Sequence, residues 1–119
     1  MLIKSKENKR IFGGYTDIAW TNNGNFKKGN GNSFIFSLDD LSFVKLKCLK
    51  KDVEVCHNSS VLRFGNNNLA ISGDCYLDRN SISFLGNCNH YETKFLNYED
   101  NYIYLAGEQN FEVVEFEVY

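Results

Sequence analysis

Apolar and polar side chains alternate with a two-residue period along much of this chain, a pattern that predicts strands rather than helices. The alternation is clearest at residues 33–38. There Phe34, Phe36 and Leu38 are set against Ser33, Ile35 and Ser37. This is the pattern of a strand with one buried face.

The preceding segment, residues 11–20, is apolar on both faces. One face carries Ile11, Tyr15 and Ala19, and the other carries Phe12, Ile18 and Trp20. A strand of this kind is predicted to be central, covered on both sides and paired with residues 33–38. The polar loop between them, TNNGNFKKGNGN, is rich in Asn and Gly, which tolerate the positive φ angles of a wide hairpin loop.

Short strands are predicted along the rest of the chain. They cover residues 43–49, 53–55, 61–64, 69–72, 102–107 and 111–119. In the last of these the apolar face changes after Val113, which predicts a β-bulge near that residue. Residues 73–89 are interpreted mainly as loop with a short strand at 81–85, and a brief helical turn is expected only at 91–97. The fold class is therefore all-β, a two-layer antiparallel β-sandwich with little or no helix.

Four sequence blocks resemble the TLDc domain of eukaryotic oxidation-resistance proteins. The first is FGGYTDIAW followed by NGNFKKGNGNSFIFSL, and the others are FGNNNLAISGDC, LGNCNHYE and YLAGEQNFEVVEFEVY. They occur in the family's order and extend over nearly the whole chain. The resemblance implies a single TLDc-like domain over residues 1–119, with a β-sandwich fold and flanking helices.

The opening segment MLIKSKENKR resembles a strand inside the family domain rather than its beginning. The resemblance therefore implies an N-terminally truncated domain. Either the chain is a truncated family member or it is a fragment of a longer one. In both cases some apolar surface and one sheet edge are expected to be uncovered.

Composition limits the classes of function that are open to this chain. Its 119 residues are 43% hydrophobic and 15% aromatic, which suits one β-rich domain. No apolar run reaches the roughly 18 residues of a membrane span, and the polar N-terminus is unlike a secretory signal. We therefore expect a cytoplasmic chain without membrane insertion.

The net charge of -2 conceals an uneven distribution. Ten basic and four acidic residues precede Asp52, and three basic and eleven acidic residues lie from Asp52 onward. Antiparallel strands can pair such halves with each other. No basic run is interleaved with aromatic residues that could stack on bases, so nucleic acid is not an expected partner.

The sequence shows no catalytic constellation. Its four cysteines form no C-x-x-C pair, and their spacing matches no structural zinc pattern, so no metal or other cofactor is predicted. There is no nucleophile elbow, and only His57 and His90 could serve as a base. We predict that the chain is not an enzyme. Two alternatives stay open: a thiol-based redox protein using Cys56 or Cys88, and a β-sandwich that binds a ligand such as a carbohydrate.

The resemblance implies a function in protein binding. TLDc domains are linked to oxidative-stress resistance, and several bind the vacuolar proton-pumping ATPase and regulate it or promote its disassembly. A protein partner, a subunit of that pump, is predicted to contact the polar loop at Asn22, Asn25, Lys27 and Lys28. A solvated Asn-rich loop without a partner is the alternative interpretation of these residues.

Overall fold

The computed structural model describes residues 1–20, 24–40, 43, 45–50, 54–57, 61–65, 68–83, 85, 91–92 and 98–118. Within these ranges the chain forms strands and one short helix. The strands are β1 (Leu2–Ser5), β2 (Ile11–Tyr15), β3 (Phe26–Lys27), β4 (Phe34–Ser37), β5 (Leu46–Lys47), β6 (Val55–His57), β7 (Val61–Phe64), β8 (Leu69–Ser72), β9 (Ser81–Ser83), β10 (Asn110–Phe111) and β11 (Val113–Glu117). The helix, α1, covers Tyr98–Ile103.

The strands form two antiparallel sheets, which confirms the predicted β-sandwich. The first sheet has the order β11-β1-β2-β4-β5, and the second has the order β10-β9-β8-β7-β6-β3. Their facing sides bury a common core in which Phe12 of the first sheet meets Phe111 of the second, edge to face, with ring centroids 5.3 Å apart. Packing of this kind joins the two sheets into one hydrophobic unit.

Strand β2 is the middle strand of the first sheet, and it pairs with β4 as the sequence predicted. The prediction that it is covered on both sides is wrong, because Ile11 and Tyr15 are exposed on its outer face. Phe12 is fully buried, and Gly14 lies against the ring of Phe64, whose nearest carbon would be 2.6 Å from a Cβ at position 14. The strand ends at Tyr15, five residues earlier than the predicted strand. Trp20 lies beyond it, half-buried, with its ring edge to face on Phe64 at a centroid distance of 5.6 Å.

Strand β4 differs from the sequence prediction in which face is buried. Ile35 and Ser37 point into the core and are buried, whereas Phe34 and Phe36 are only half-buried on the opposite face. Ser33, just before the strand, is also buried, and its hydroxyl donates a hydrogen bond to Thr16 Oγ1 at 2.8 Å. Small hydroxyl side chains can lie inside a core when they are hydrogen-bonded, so their polarity did not identify the outer face.

The last predicted strand, residues 111–119, is divided between the two sheets. Its first part, β10, pairs with β9, and β11 pairs with β1 in the other sheet. Lys4 is opposite Glu115 while Ser5 is opposite Val113, so Val114 is an extra residue between them. This irregularity confirms the predicted bulge near Val113.

The expectation of a strand at residues 102–107 is wrong. The helix α1 extends to Ile103, and Tyr104, Leu105 and Ala106 follow it as a buried turn in the core. A short apolar run is equally compatible with a strand and with a buried turn, which explains the error. The helical turn expected at 91–97 coincides with a bridge between Tyr91 and Cys48 at its start, and residues 93–97 lie outside the described ranges.

Other local predictions are confirmed. Strands β7 and β8 form a hairpin through Gly65, which has a φ of 62°, and β9 lies within the predicted loop region. The strand predicted at 43–49 appears as the shorter β5. The strand predicted at 53–55 overlaps β6 only at Val55, and residue 53 lies outside the described ranges. The described part of the chain contains no helix long and apolar enough to cross a membrane.

Candidate protein-binding surfaces

The predicted contact residues lie around β3, the edge strand of the second sheet. Asn25 and Lys28 are exposed on either side of this strand. Lys27 is half-buried within it, and its ammonium group donates a hydrogen bond to the carbonyl oxygen of Ala19 at 2.8 Å. Asn22 lies outside the described residues. The structure therefore presents Lys28 and Asn25 outward, while Lys27 also links the strand to the preceding segment.

The segment between β3 and β4 is positioned by a buried carboxylate. Glu54 has no exposed surface, and its side chain accepts hydrogen bonds from the backbone N–H groups of Ser33 at 2.9 Å and Gly31 at 3.1 Å. Gly29 also lies against this carboxylate, because a Cβ there would overlap it. A buried carboxylate needs donors of this kind to compensate for its lost hydration. The segment that follows Lys28 is thus fixed from inside the protein.

Side chains on the outer side hold the same segment. Asn32 donates a hydrogen bond to the Asp17 carboxylate at 3.0 Å, next to a cleft lined by Asp17, Ile18, Lys28, Gly29 and Asn30. These contacts attach the loop to the residues that follow β2. Lys28 is therefore an exposed cation on an anchored loop, a suitable arrangement for contact with an acidic protein surface.

The outer side of the first sheet carries a second surface, which the sequence did not predict. Tyr15, Phe34, Phe36 and Phe43 form a continuous row with successive ring centroids 5.2, 5.9 and 5.6 Å apart. We call these four residues the aromatic face. They line a groove of about 550 Å³ whose wall also includes Leu2, Leu38 and Val118, and which reaches Trp20 and Phe64 of the inner side. The only sequence signal was that both faces of β2 and β4 carry apolar residues.

Charged residues lie at the two edges of this face. At the β5 edge, the Lys45 ammonium group is 4.7 Å from the centre of the Phe34 ring, and Lys47 is directly opposite Phe34 in the register. At the β11 edge, Glu115 is opposite Lys4 and Glu117 is opposite Leu2. Residues directly opposite in a sheet share a face. The outer side thus has lysines on its β5 strand, apolar residues in the middle and glutamates on its β11 strand. Lys4 pairs with Glu115 at the β11 edge, and the Glu92 carboxylate accepts a hydrogen bond from the Lys47 backbone N–H at the β5 edge.

Two of the carboxylates in a further depression make structural contacts. It is lined by Arg10, Ser37, Asp39, Asp40, Asp100, Ile103 and Tyr104. Asp39 accepts a hydrogen bond from the Ile11 N–H at 2.7 Å, and Asp40 accepts one from the Tyr104 hydroxyl at 2.8 Å. Burial, assisted by the bond to Asp40, raises the pKa of Tyr104. Among the described residues no group of His, Cys, Asp and Glu side chains is arranged to hold a metal ion.

The described cysteines differ from a reactive thiol in their surroundings. Cys56 and Cys75 are each only 4% exposed, and burial raises the pKa of the Cys75 thiol. Cys48 is half-buried and its thiol donates a hydrogen bond to the Lys50 carbonyl oxygen at 3.4 Å. A redox-active thiol is typically accessible and has a lowered pKa, the opposite of what Cys75 shows. Cys88 lies outside the described ranges.

Comparison with known protein families relates the whole fold to one of them. A family model described as TLDc domain matches residues 1–119. Comparison with curated proteins and with solved structures gives no significant match. The family match extends over the full sequence and agrees with the four sequence blocks and with the two-sheet fold. The chain therefore belongs to the TLDc domain family.

Proposed function

We propose that this chain is a non-catalytic protein-interaction module of the TLDc type. It acts in the cytoplasm, contributes to oxidative-stress resistance and binds a subunit of the vacuolar proton-pumping ATPase. The observation that carries this proposal is the family match over residues 1–119. TLDc domains are in general protein-interaction modules, and several members of the family bind the vacuolar proton-pumping ATPase, which is the ground for proposing the pump as the partner.

The contact with the pump is proposed at Asn22, Asn25, Lys27 and Lys28. Exposure of Asn25 and Lys28 supports it, as does the anchoring of the following segment by Glu54. An anchored loop loses little conformational entropy when it binds, which favours recognition. Its two lysines would meet an acidic patch on the pump subunit.

A pull-down from a lysate containing cytosol and membranes tests both parts of the proposal. The wild-type chain is expected to recover pump subunits, and the Lys27→Glu/Lys28→Glu variant is expected to recover much less. Because Lys27 also contacts Ala19, the single variant Lys28→Glu is included and should show a clear part of the loss. Lys9→Glu is the matched control for Lys28→Glu, since it makes the same change in net charge at an exposed position between β1 and β2.

The outcomes separate the partner from the contact surface. The proposal is supported if both loop variants recover fewer pump subunits than wild type and the control variant recovers as many as wild type. Equal recovery by wild type and the loop variants would exclude the loop as the contact. No recovery of pump subunits by wild type would exclude the pump as the partner. Thermal melting of each variant verifies that it is folded.

A further inference from the structure

The aromatic face is large, apolar and solvent-accessible in the monomer. Tyr15 is 47% exposed and Phe43 is 44% exposed, and Leu38 beside them is 48% exposed. Side chains of this size, contiguous on one side of a sheet, are more typical of an interface than of a free surface. The charges at its two edges indicate which occupant it fits.

We propose that the aromatic face is the interface of a symmetric dimer with a second copy of this chain. The two copies pack with their outer sheet sides together, about a twofold axis that lies between the faces and runs along the strands. This inference is independent of the proposed binding of the pump.

The orientation follows from the order of the strands. Because β2 is the middle strand of the first sheet, rotation about an axis parallel to it places the β5 edge of one copy over the β11 edge of its partner. Lys45 of one copy then faces Glu117 of the other, and symmetry repeats the same contact at the opposite edge. Rotation about an axis across the strands would instead place like charges together, which is unfavourable.

The register identifies the residues that meet most directly. Leu2 is opposite both Gly13 and Glu117, and Gly13 is opposite Phe36. Continuing the β4–β5 register by one position beyond Ile35↔Leu46 brings Lys45 opposite Phe36. Lys45 and Glu117 are therefore the two ends of one row across the sheet. The twofold rotation reverses the order of the residues in this row and leaves the row at the same height along the strand direction. Lys45 of one copy therefore meets Glu117 of its partner.

Sedimentation velocity over a wide concentration range tests the dimer. The wild-type chain is expected to form a discrete dimer that dissociates on dilution. Tyr15→Asp is expected to make it monomeric. Phe43→Asp is a second variant chosen to preserve folding, because Phe43 has a φ of 43°, which aspartate tolerates better than most residues. Thermal melting verifies that both remain folded.

Charge reversal tests the orientation. Lys45→Glu alone and Glu117→Lys alone are each expected to weaken dimerisation about tenfold, because each brings two like-charge pairs into the interface. The double variant Lys45→Glu/Glu117→Lys is expected to restore it. Lys9→Glu, at an exposed position outside the face, should have no effect.

Each outcome decides the proposal. A discrete wild-type dimer, lost in both aspartate variants and rescued by the double reversal, supports it. A wild-type chain that is monomeric at every concentration, or that forms only heterogeneous aggregates, overturns it. A dimer whose single reversals are not rescued by the double variant overturns the twofold arrangement.

Discussion

The buried carboxylate of Glu54 accepts a hydrogen bond from the backbone N–H of Ser33 at 2.9 Å. Glu54 immediately precedes β6 in the second sheet, and Ser33 immediately precedes β4 in the first sheet. This one contact therefore connects the starts of two strands that belong to different layers. The Tyr91 hydroxyl completes the arrangement by donating to the Glu54 carbonyl oxygen at 2.8 Å.

Replacing Glu54 by glutamine should destabilise the protein by about 1–3 kcal/mol. A glutamine side chain has one acceptor oxygen, so the N–H group of either Ser33 or Gly31 would lose its acceptor. Urea unfolding measures the change in the free energy of unfolding. The control is Glu115→Gln, whose carboxylate is largely exposed and pairs with Lys4 at 3.4 Å. It should change stability by less than about 0.5 kcal/mol. Equal effects of the two substitutions would contradict the role of Glu54.

Adding a methyl group at Gly14 should destabilise the protein by about 1–3 kcal/mol, because the new Cβ would overlap the buried Phe64 ring. Phe64→Leu removes that ring edge. The double variant Gly14→Ala/Phe64→Leu should therefore be less destabilised than the sum of the two single variants. Strictly additive losses in urea unfolding would show that the close approach of Gly14 and Phe64 has no energetic consequence.

The free energy of unfolding should fall at alkaline pH. Burial raises the pKa of the Cys75 thiol and of the Tyr91 and Tyr104 hydroxyls in the folded chain. Their ordinary values are 9.0 for the thiol and 10.0 for the hydroxyls. Below those values each group is protonated in both states and its contribution is constant. Above them the unfolded chain loses these protons more readily, so stability decreases as pH rises.

Urea unfolding between about pH 8 and about pH 11 measures this decrease. Tyr104→Phe removes one buried phenol and should make the alkaline slope shallower. Tyr76→Phe, at a position that is 51% exposed, is the control and leaves both buried phenols in place. An alkaline slope unchanged by Tyr104→Phe would show that this hydroxyl does not contribute to it.

Hydrogen exchange should distinguish the true length of the central strand from its predicted length. Amides within β2 should exchange slowly, since the strand lies between two neighbours. The Ile18 amide donates to Thr16 Oγ1 at 3.1 Å, beyond the end of the strand, and should exchange much faster. The Ala70 amide of β8, in the interior of the second sheet, is an internal standard for slow exchange. Equal protection of Ile18 and Gly14 would mean that the strand continues past Tyr15.

Local pattern was sufficient to predict those parts of the fold that depend on local geometry. The pairing of β2 with β4, the hairpin of β7 and β8 and the bulge at Val114 each follow from alternation, turn residues or a change of phase. Alternation shows that a strand has two faces, but it does not show which face a second sheet will cover. The aromatic face was missed for this reason, because Ile35 and the serines beside it fill the inner side.

The surroundings of the candidate loop could not be predicted from the sequence for a different reason. Glu54 is 21 residues from Ser33 along the chain, and nothing near either residue indicates that they meet. Lys27 was expected at a loop tip, whereas the short strand β3 places it in a sheet edge and directs its ammonium group to Ala19. Such contacts depend on the assembled tertiary structure rather than on periodicity.

Glu112 separates β10, which pairs in the second sheet, from β11, which pairs in the first sheet. This division has a consequence for how the chain folds. Strand β1, at the start of the sequence, has β11 as its outer neighbour, and Lys4 and Glu115 are 111 residues apart along the chain. During synthesis, β1 must therefore wait for the intervening residues to emerge before its second edge is covered. Contacts of such long range are formed slowly, since the entropy of closing a long loop must be overcome first. The nascent first sheet thus passes through a period with one open edge, in which pairing with the wrong strand competes with completion of the fold.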